Sequence, residues 1–156
     1  MKLTSILLLA FSVLAMPASC GTAQVEPGQL AQQSAETWLA LIDSGKYAES
    51  WQDAAQLFKS HVTKDQWQSA MTATRLPFGK LKSRKVKTTT LAKSLPGAPD
   101  GQYVVIQYDS SFEHKQLAVE TVTPMLDKNG QWKEIVPGLV ESGGSRLSAR
   151  YATCTC

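Results

Sequence analysis

From Leu30 onward apolar residues recur every three or four positions. Ala31, Ala35, Trp38, Leu39 and Ile42 share one face, while Gln32, Gln33, Glu36 and Asp43 fall largely elsewhere. The spacing predicts a helix that stops at Ser44-Gly45, where glycine can take the left-handed conformation after the last turn. Tyr47, Trp51, Ala54, Ala55 and Phe58 carry the same period and predict a second helix after Gly45. Lys59-Ser60-His61-Val62 breaks it. Thr63 to Gln66 then reads as a capping box, opening a third helix with Trp67, Ala70, Met71 and Thr74 on its inner face. Pro77 and Gly79 end that helix.

Beyond Lys80 the helical period is gone. The clearest strand is Tyr103-Val104-Val105-Ile106-Gln107-Tyr108, a run of β-branched and aromatic residues between turn-forming segments. Residues 80–91 predict a long, partly exposed strand whose imperfect alternation implies a bulge or bend. A loop follows at 94–101, and Phe112-Glu113-His114 lies in or near a hairpin turn. Residues 115–126 form the next strand, with Leu117, Val119, Thr121 and Thr123 on one side and Ala118, Glu120 and Val122 on the other. Asp127-Lys128-Asn129-Gly130 predicts a hairpin with a type I′ turn, and Gln131-Trp132-Lys133 begins a fourth strand. Pro137 has no N–H for a ladder and is expected to end or interrupt that strand. Helices first and an antiparallel meander after them make an α+β domain, with one sheet face taking the aromatic stripe of the helices.

A set of residues in this order carries a resemblance. It runs Ala35-Glu36-Thr37-Trp38-Leu39, Leu41-Ile42-Asp43, Gly45, Tyr47 and Ser50-Trp51. It continues through Phe58, Gln66-Trp67, Gly79-Lys80, Lys82-Ser83-Arg84, Gly101, Tyr103, Glu120-Thr121-Val122-Thr123, Gly130 and Trp132. Over roughly residues 31–133 the chain resembles the bacterial exported family called domain of unknown function 4019. The resemblance implies a nuclear-transport-factor-2-like, or cystatin-like, cone, in which a curved antiparallel sheet cradles a helix. It implies no activity, since this fold hosts enzymes and binding modules alike. Such sequences end soon after the tryptophan strand with an aliphatic-x-Gly-aromatic pattern. Here residues 137–156 have no helical or strand period, as a shifted reading frame would leave, and are expected to form a disordered tail.

The N-terminus reads as a targeting segment. Lys2 precedes an apolar core from Ile6 to Ala15, about ten residues and too short to span a membrane. Gly21-Thr22-Ala23 would place a signal-peptidase cut before Gln24, giving a signal peptide at 1–23, a linker at 24–29 and a domain at 30–136. Ala18-Ser19-Cys20-Gly21 reads alternatively as the end of a lipobox with Cys20 lipidated, although Pro17 stands where an aliphatic residue is usual. Both readings give an exported protein, either periplasmic or secreted, or anchored to the membrane only through Cys20. Cys154 and Cys156 are too close for an unstrained disulfide and too few for a closed zinc site.

A net charge of +3 does not argue for nucleic acid, and none is expected as a partner. Lys80, Lys82, Arg84, Lys85 and Lys87 form the densest charge cluster, either a solvated edge-strand face or a patch for an anionic partner. The aromatics Trp38, Trp51, Trp67, Trp132, Tyr47, Phe58, Tyr103 and Tyr108 have the spacing of a packed core and could alternatively line a pocket. His61 and His114 lie in unrelated loops without a second ligand at metal spacing, so no metal and no cofactor are expected. Tyr103, Asp109 and Glu120 are the ligand-site candidates, because strands could aim them into a cone. No recognised catalytic motif joins them, and no catalytic residue is assigned. Two readings remain. One is a non-enzymatic envelope protein that binds a small apolar or anionic ligand or another envelope component. The other is a small-molecule enzyme of the same fold with Asp109 or Glu120 as base.

Overall fold

The computed structural model describes residues 26–141, with the side chains of 26–135. Helix α1 (Pro27–Asp43) begins with proline at its first turn, where the missing N–H costs nothing and φ is already helical. It therefore takes in half of the segment expected to be a linker. It ends in a Schellman motif: Lys46 N–H donates to Leu41 O at 2.9 Å, Gly45 N–H to Ile42 O at 3.0 Å, and Gly45 sits at φ 72°.

The single helix expected after Gly45 is two, α2 (Tyr47–Asp53) and α3 (Gln56–His61). Ala54 turns to an extended conformation at ψ 161°, and Ala55 N–H donates to Glu134 O at 2.8 Å. A bond to the sheet replaces a helical one at that point. Helix α4 (Lys64–Arg75) opens with the capping box that the sequence predicts. Thr63 Oγ1 accepts from Gln66 N–H at 3.3 Å, and Gln66 Oε1 accepts from Thr63 N–H at 3.0 Å.

The four strands are β1 (Leu81–Ala92), β2 (Tyr103–Phe112), β3 (Ala118–Leu126) and β4 (Trp132–Glu141). They form an antiparallel meander in the order β1-β2-β3-β4. The long first strand carries register shifts at Leu81/Ser83 and Val86/Thr88, as its broken alternation implies. The β3–β4 hairpin is present, but its loop has three residues. Asp127 N–H donates to Gln131 O at 2.8 Å, Gly130 lies at φ 76°, and the Asp127 carboxylate accepts from Asn129 and Gln131 N–H. Pro137 does not end β4, which continues to Glu141 with Pro137 opposite Val122. β4 pairs on one side only, so a residue without a donor fits its open edge. The signal peptide, Cys20 and the tail after Glu141 lie outside the described residues.

Helix α1 lies across the sheet and touches all four strands. Ala31, Ala35, Trp38, Leu39 and Ile42 pack with Trp67 and Met71 of α4 and with Val104, Ile106, Tyr108 and Val122 of the sheet. The indoles are anchored as well as buried. Trp38 Nε1 donates to Ser50 O at 2.8 Å, Trp67 Nε1 to Ser50 Oγ at 3.0 Å and Trp51 Nε1 to Val62 O at 2.7 Å. Each fully buried apolar side chain contributes about 1.5–3 kcal/mol. Of the aromatic stripe, Trp38, Trp67, Tyr103 and Tyr108 are thus core, and Tyr47, Trp51, Phe58 and Trp132 are half-buried at its margin.

Candidate functional site

The densest polar cluster lies between α1, α4 and the covered face of the sheet. Alternation along β3 turns Ala118, Glu120 and Val122 inward, and the carboxylate of Glu120 is 3% exposed. Arg75 reaches it from the last turn of α4, and Arg84 reaches it from β1 across β2. Oε1 accepts from Arg75 Nη1 and Arg84 Nη2, both at 3.0 Å. Oε2 accepts from Arg84 Nε at 2.7 Å and from Ser110 Oγ at 2.5 Å. Asp43, at the end of α1, closes the network. Its Oδ2 accepts from Arg84 Nη1 at 2.7 Å, and its Oδ1 accepts from Arg84 Nη2 at 3.1 Å and from Arg75. The guanidinium of Arg75 also stacks 4.9 Å from the Phe112 ring, and that of Arg84 lies 6.0 Å from the Tyr108 ring.

Two carboxylates and two guanidiniums make this cluster neutral. Burial by itself would raise the Glu120 pKa, but the hydrogen bond and charge of Arg84, then Ser110 and Arg75, hold it below the ordinary carboxylate range. Burial opposes the charge on Arg84, and its bonds to Asp43 and Glu120 outweigh that and hold it more firmly protonated. A carboxylate has about four acceptor positions, and here four donors occupy them. Such a group binds and orients, and with every acceptor position engaged it stays ionised at neutral pH.

The three candidate ligand residues do not converge. Glu120 is in the interior network just described. Asp109 has the opposite parity on β2, is exposed, and pairs with Lys87 at 3.0 Å across the outer face. Tyr103 is buried at the far end of β2 with Ala55 and Ile135, its hydroxyl donating to Pro99 O at 2.5 Å. The basic cluster also divides. Arg84 is an internal ion-pair partner and Lys87 is paired with Asp109, whereas Lys80, Lys82 and Lys85 stay exposed. A run of like charges in sequence alternates between faces once it becomes a strand. His61 and His114 are exposed and apart, and no cluster of three metal-ligating side chains exists among the described residues.

Two clefts border these features. The larger, about 900 Å³, is a groove lined by Leu91, Ala92, Lys93, Tyr103 and Trp132 with the loop at Asp100–Gln102. Its size is in the range of small-molecule sites. Tyr103 therefore does line a groove, without Asp109 or Glu120. The smaller, about 250 Å³, opens between Tyr47, Arg75, Lys80 and Glu113 beside the ion network.

One polar residue escapes the sequence reading. Glu134 of β4 is 2% exposed, and neither carboxyl oxygen has a hydrogen-bond partner; the buried Tyr108 hydroxyl lacks one too. Burial, then the charge of Asp53, pushes the Glu134 pKa up to about 8, against the pull of Lys133. Strand parity with Trp132, two residues earlier on β4, is the signal in the sequence that places Glu134 on the covered face.

No curated protein matches the chain. Residues 34–136 match the family model described as "Protein of unknown function (DUF4019)", which spans roughly two thirds of the sequence, and the chain belongs to that family.

Proposed function

We propose that this is an exported envelope protein whose α+β domain, built as a cystatin-like cone, binds a ligand without altering it. The observation that supports this reading is the state of Glu120. Of the two carboxylates the enzyme reading relies on, one is saturated by four donors and the other is on the outer face. The surface offered for binding is the groove at Tyr103 and Trp132. Leu91, Ala92 and the two rings make its lining apolar, and Lys93 supplies a cation. An apolar ligand with an anionic end suits that lining. The groove's own carboxylate, Asp100, is exposed on a loop outside any apolar enclosure.

Thermal unfolding of the full chain with dodecanoate, dodecanol or buffer tests this reading. Dodecanoate is expected to raise the Tm more than dodecanol does, and Trp132→Ala is expected to remove the rise. A Tm unmoved by every apolar or anionic compound, or a rise that survives Trp132→Ala, would overturn it.

A further inference from the structure

Strand β4 is fastened to the helical layer by three successive polar contacts. Ser34 Oγ of α1 donates to Trp132 O at 2.7 Å. Lys133 pairs with Asp53 at the end of α2. Ala55 N–H, in the break between α2 and α3, donates to Glu134 O at 2.8 Å. Amid these clamps sits the unpartnered Glu134 carboxyl. Its register partner on β3 is Pro124, which has no N–H to offer. Of the charges around it, Asp53 repels a carboxylate and Lys133 attracts one but is shared with Asp53. Tyr108 of β2 is held neutral by its own burial, and the charges of Glu36 on α1 and of Glu134 reinforce this. Arg84 opposes, and Glu120 adds a smaller push in the same direction. Helix α3 brings no compensating charge: Lys59 donates to Gln52 O and His61 bonds Leu57 O, both exposed.

A carboxylate in that position would be desolvated, next to one like charge, and without a donor, whereas the neutral acid is tolerated. We propose that Glu134 is a proton-controlled latch: protonated, it lets β4 seat on α1 and the α2–α3 junction, and ionised, it drives the Trp132–Ile135 segment off that layer. The proton passes to water as the segment opens. This device shares Trp132 with the groove but stands or falls without the binding reading above.

The sign follows from the two forms. Closed, Glu134 titrates at about 8; open to water, it returns toward its ordinary value of 4.5. The closed form is favoured most in acid. Between about pH 5 and 8 each unit raises the open-to-closed ratio about tenfold, and the ratio levels off above that.

Amide hydrogen exchange on the full chain, corrected for intrinsic rates, reads the opening directly. The Ala55 amide is expected to open about tenfold more per pH unit from 5 to 8. That opening should respond little to dilute urea, as a local event does, while amides of β2 such as Ile106 respond strongly. In Glu134→Gln the pH dependence of Ala55 should be flat. An unchanged dependence in that variant would overturn the latch, and so would an Ala55 opening as urea-sensitive as that of Ile106. Should Glu134→Gln fail to fold, Glu134→Met replaces it. Carbon-13 titration of the Glu134 carboxyl in the unmodified chain decides without any variant: titration near 4.5 overturns the proposal, and titration near 8 supports it.

Discussion

Arg84 of β1 and Glu120 of β3 are joined across an intervening strand, Nε to Oε2 at 2.7 Å and Nη2 to Oε1 at 3.0 Å. Arg84 stands beside Ser110 in the register and Glu120 beside Tyr108, so the guanidinium lies diagonally over β2. The pair ties the first and third strands together on the covered face, and Asp43 and Arg75 fasten the same group to α1 and α4.

Removing one member leaves its partners buried and uncompensated. Glu120→Ala should lower the unfolding free energy by about 3–5 kcal/mol, with Arg84→Ala close behind. Urea denaturation at pH 7 measures both. Replacing Asp43, Glu120, Arg75 and Arg84 together by apolar residues of similar volume should cost much less than the worst single change, because a buried ion network seldom exceeds a well-packed apolar one in net stability.

The same carboxylate sets an acid limit. Its folded pKa is depressed, so its contribution to stability is complete above the ordinary value of 4.5 and is lost as the pH falls through the folded value. Stability measured from pH 6 to 2 should fall more steeply in the unmodified chain than in Glu120→Gln, by up to one proton's slope. Equal slopes would show that Glu120 is not held ionised.

Gly79 tests the turn into β1. It lies at φ 71°, and a Cβ there would meet Glu113 Cβ and the His114 ring at 2.9 Å. Gly97 has a similar φ of 79° with nothing within 4 Å. Gly79→Ala should therefore cost more than Gly97→Ala, roughly 2–4 against 1–2 kcal/mol, since only the first adds a steric clash to the left-handed backbone penalty. Paired thermal melts separate the two. Similar Tm losses would mean that Glu113 and His114 move aside freely.

Short-range chemistry can be read from the order of residues. The stripe Ala31, Ala35, Trp38, Leu39, Ile42 defines α1, Thr63 and Gln66 cap α4, and the run from Tyr103 marks β2. Alternation alone grouped Ala118, Glu120 and Val122 on one side of β3, and burial shows that side to be the inner one. Each of these signals acts within one turn or one pleat, so neighbouring residues suffice to read it.

Other features depend on contacts made between distant parts of the chain. The helix after Gly45 breaks at Ala54 because the Ala55 amide bonds a carbonyl on β4, far along the chain. Pro137 is tolerated because sheet order leaves β4 at an edge. Arg84 leaves the basic cluster because β1 lies two strands from Glu120, with α1 and α4 closing over both. Glu134 becomes an acid with a raised pKa because the packing of β4 under the helical layer buries it and α2 adds the charge of Asp53. In all four cases the outcome depends on which distant backbone or charge is brought alongside. That alignment is set by strand pairing and packing of the whole domain, to which residues a few positions away carry no information.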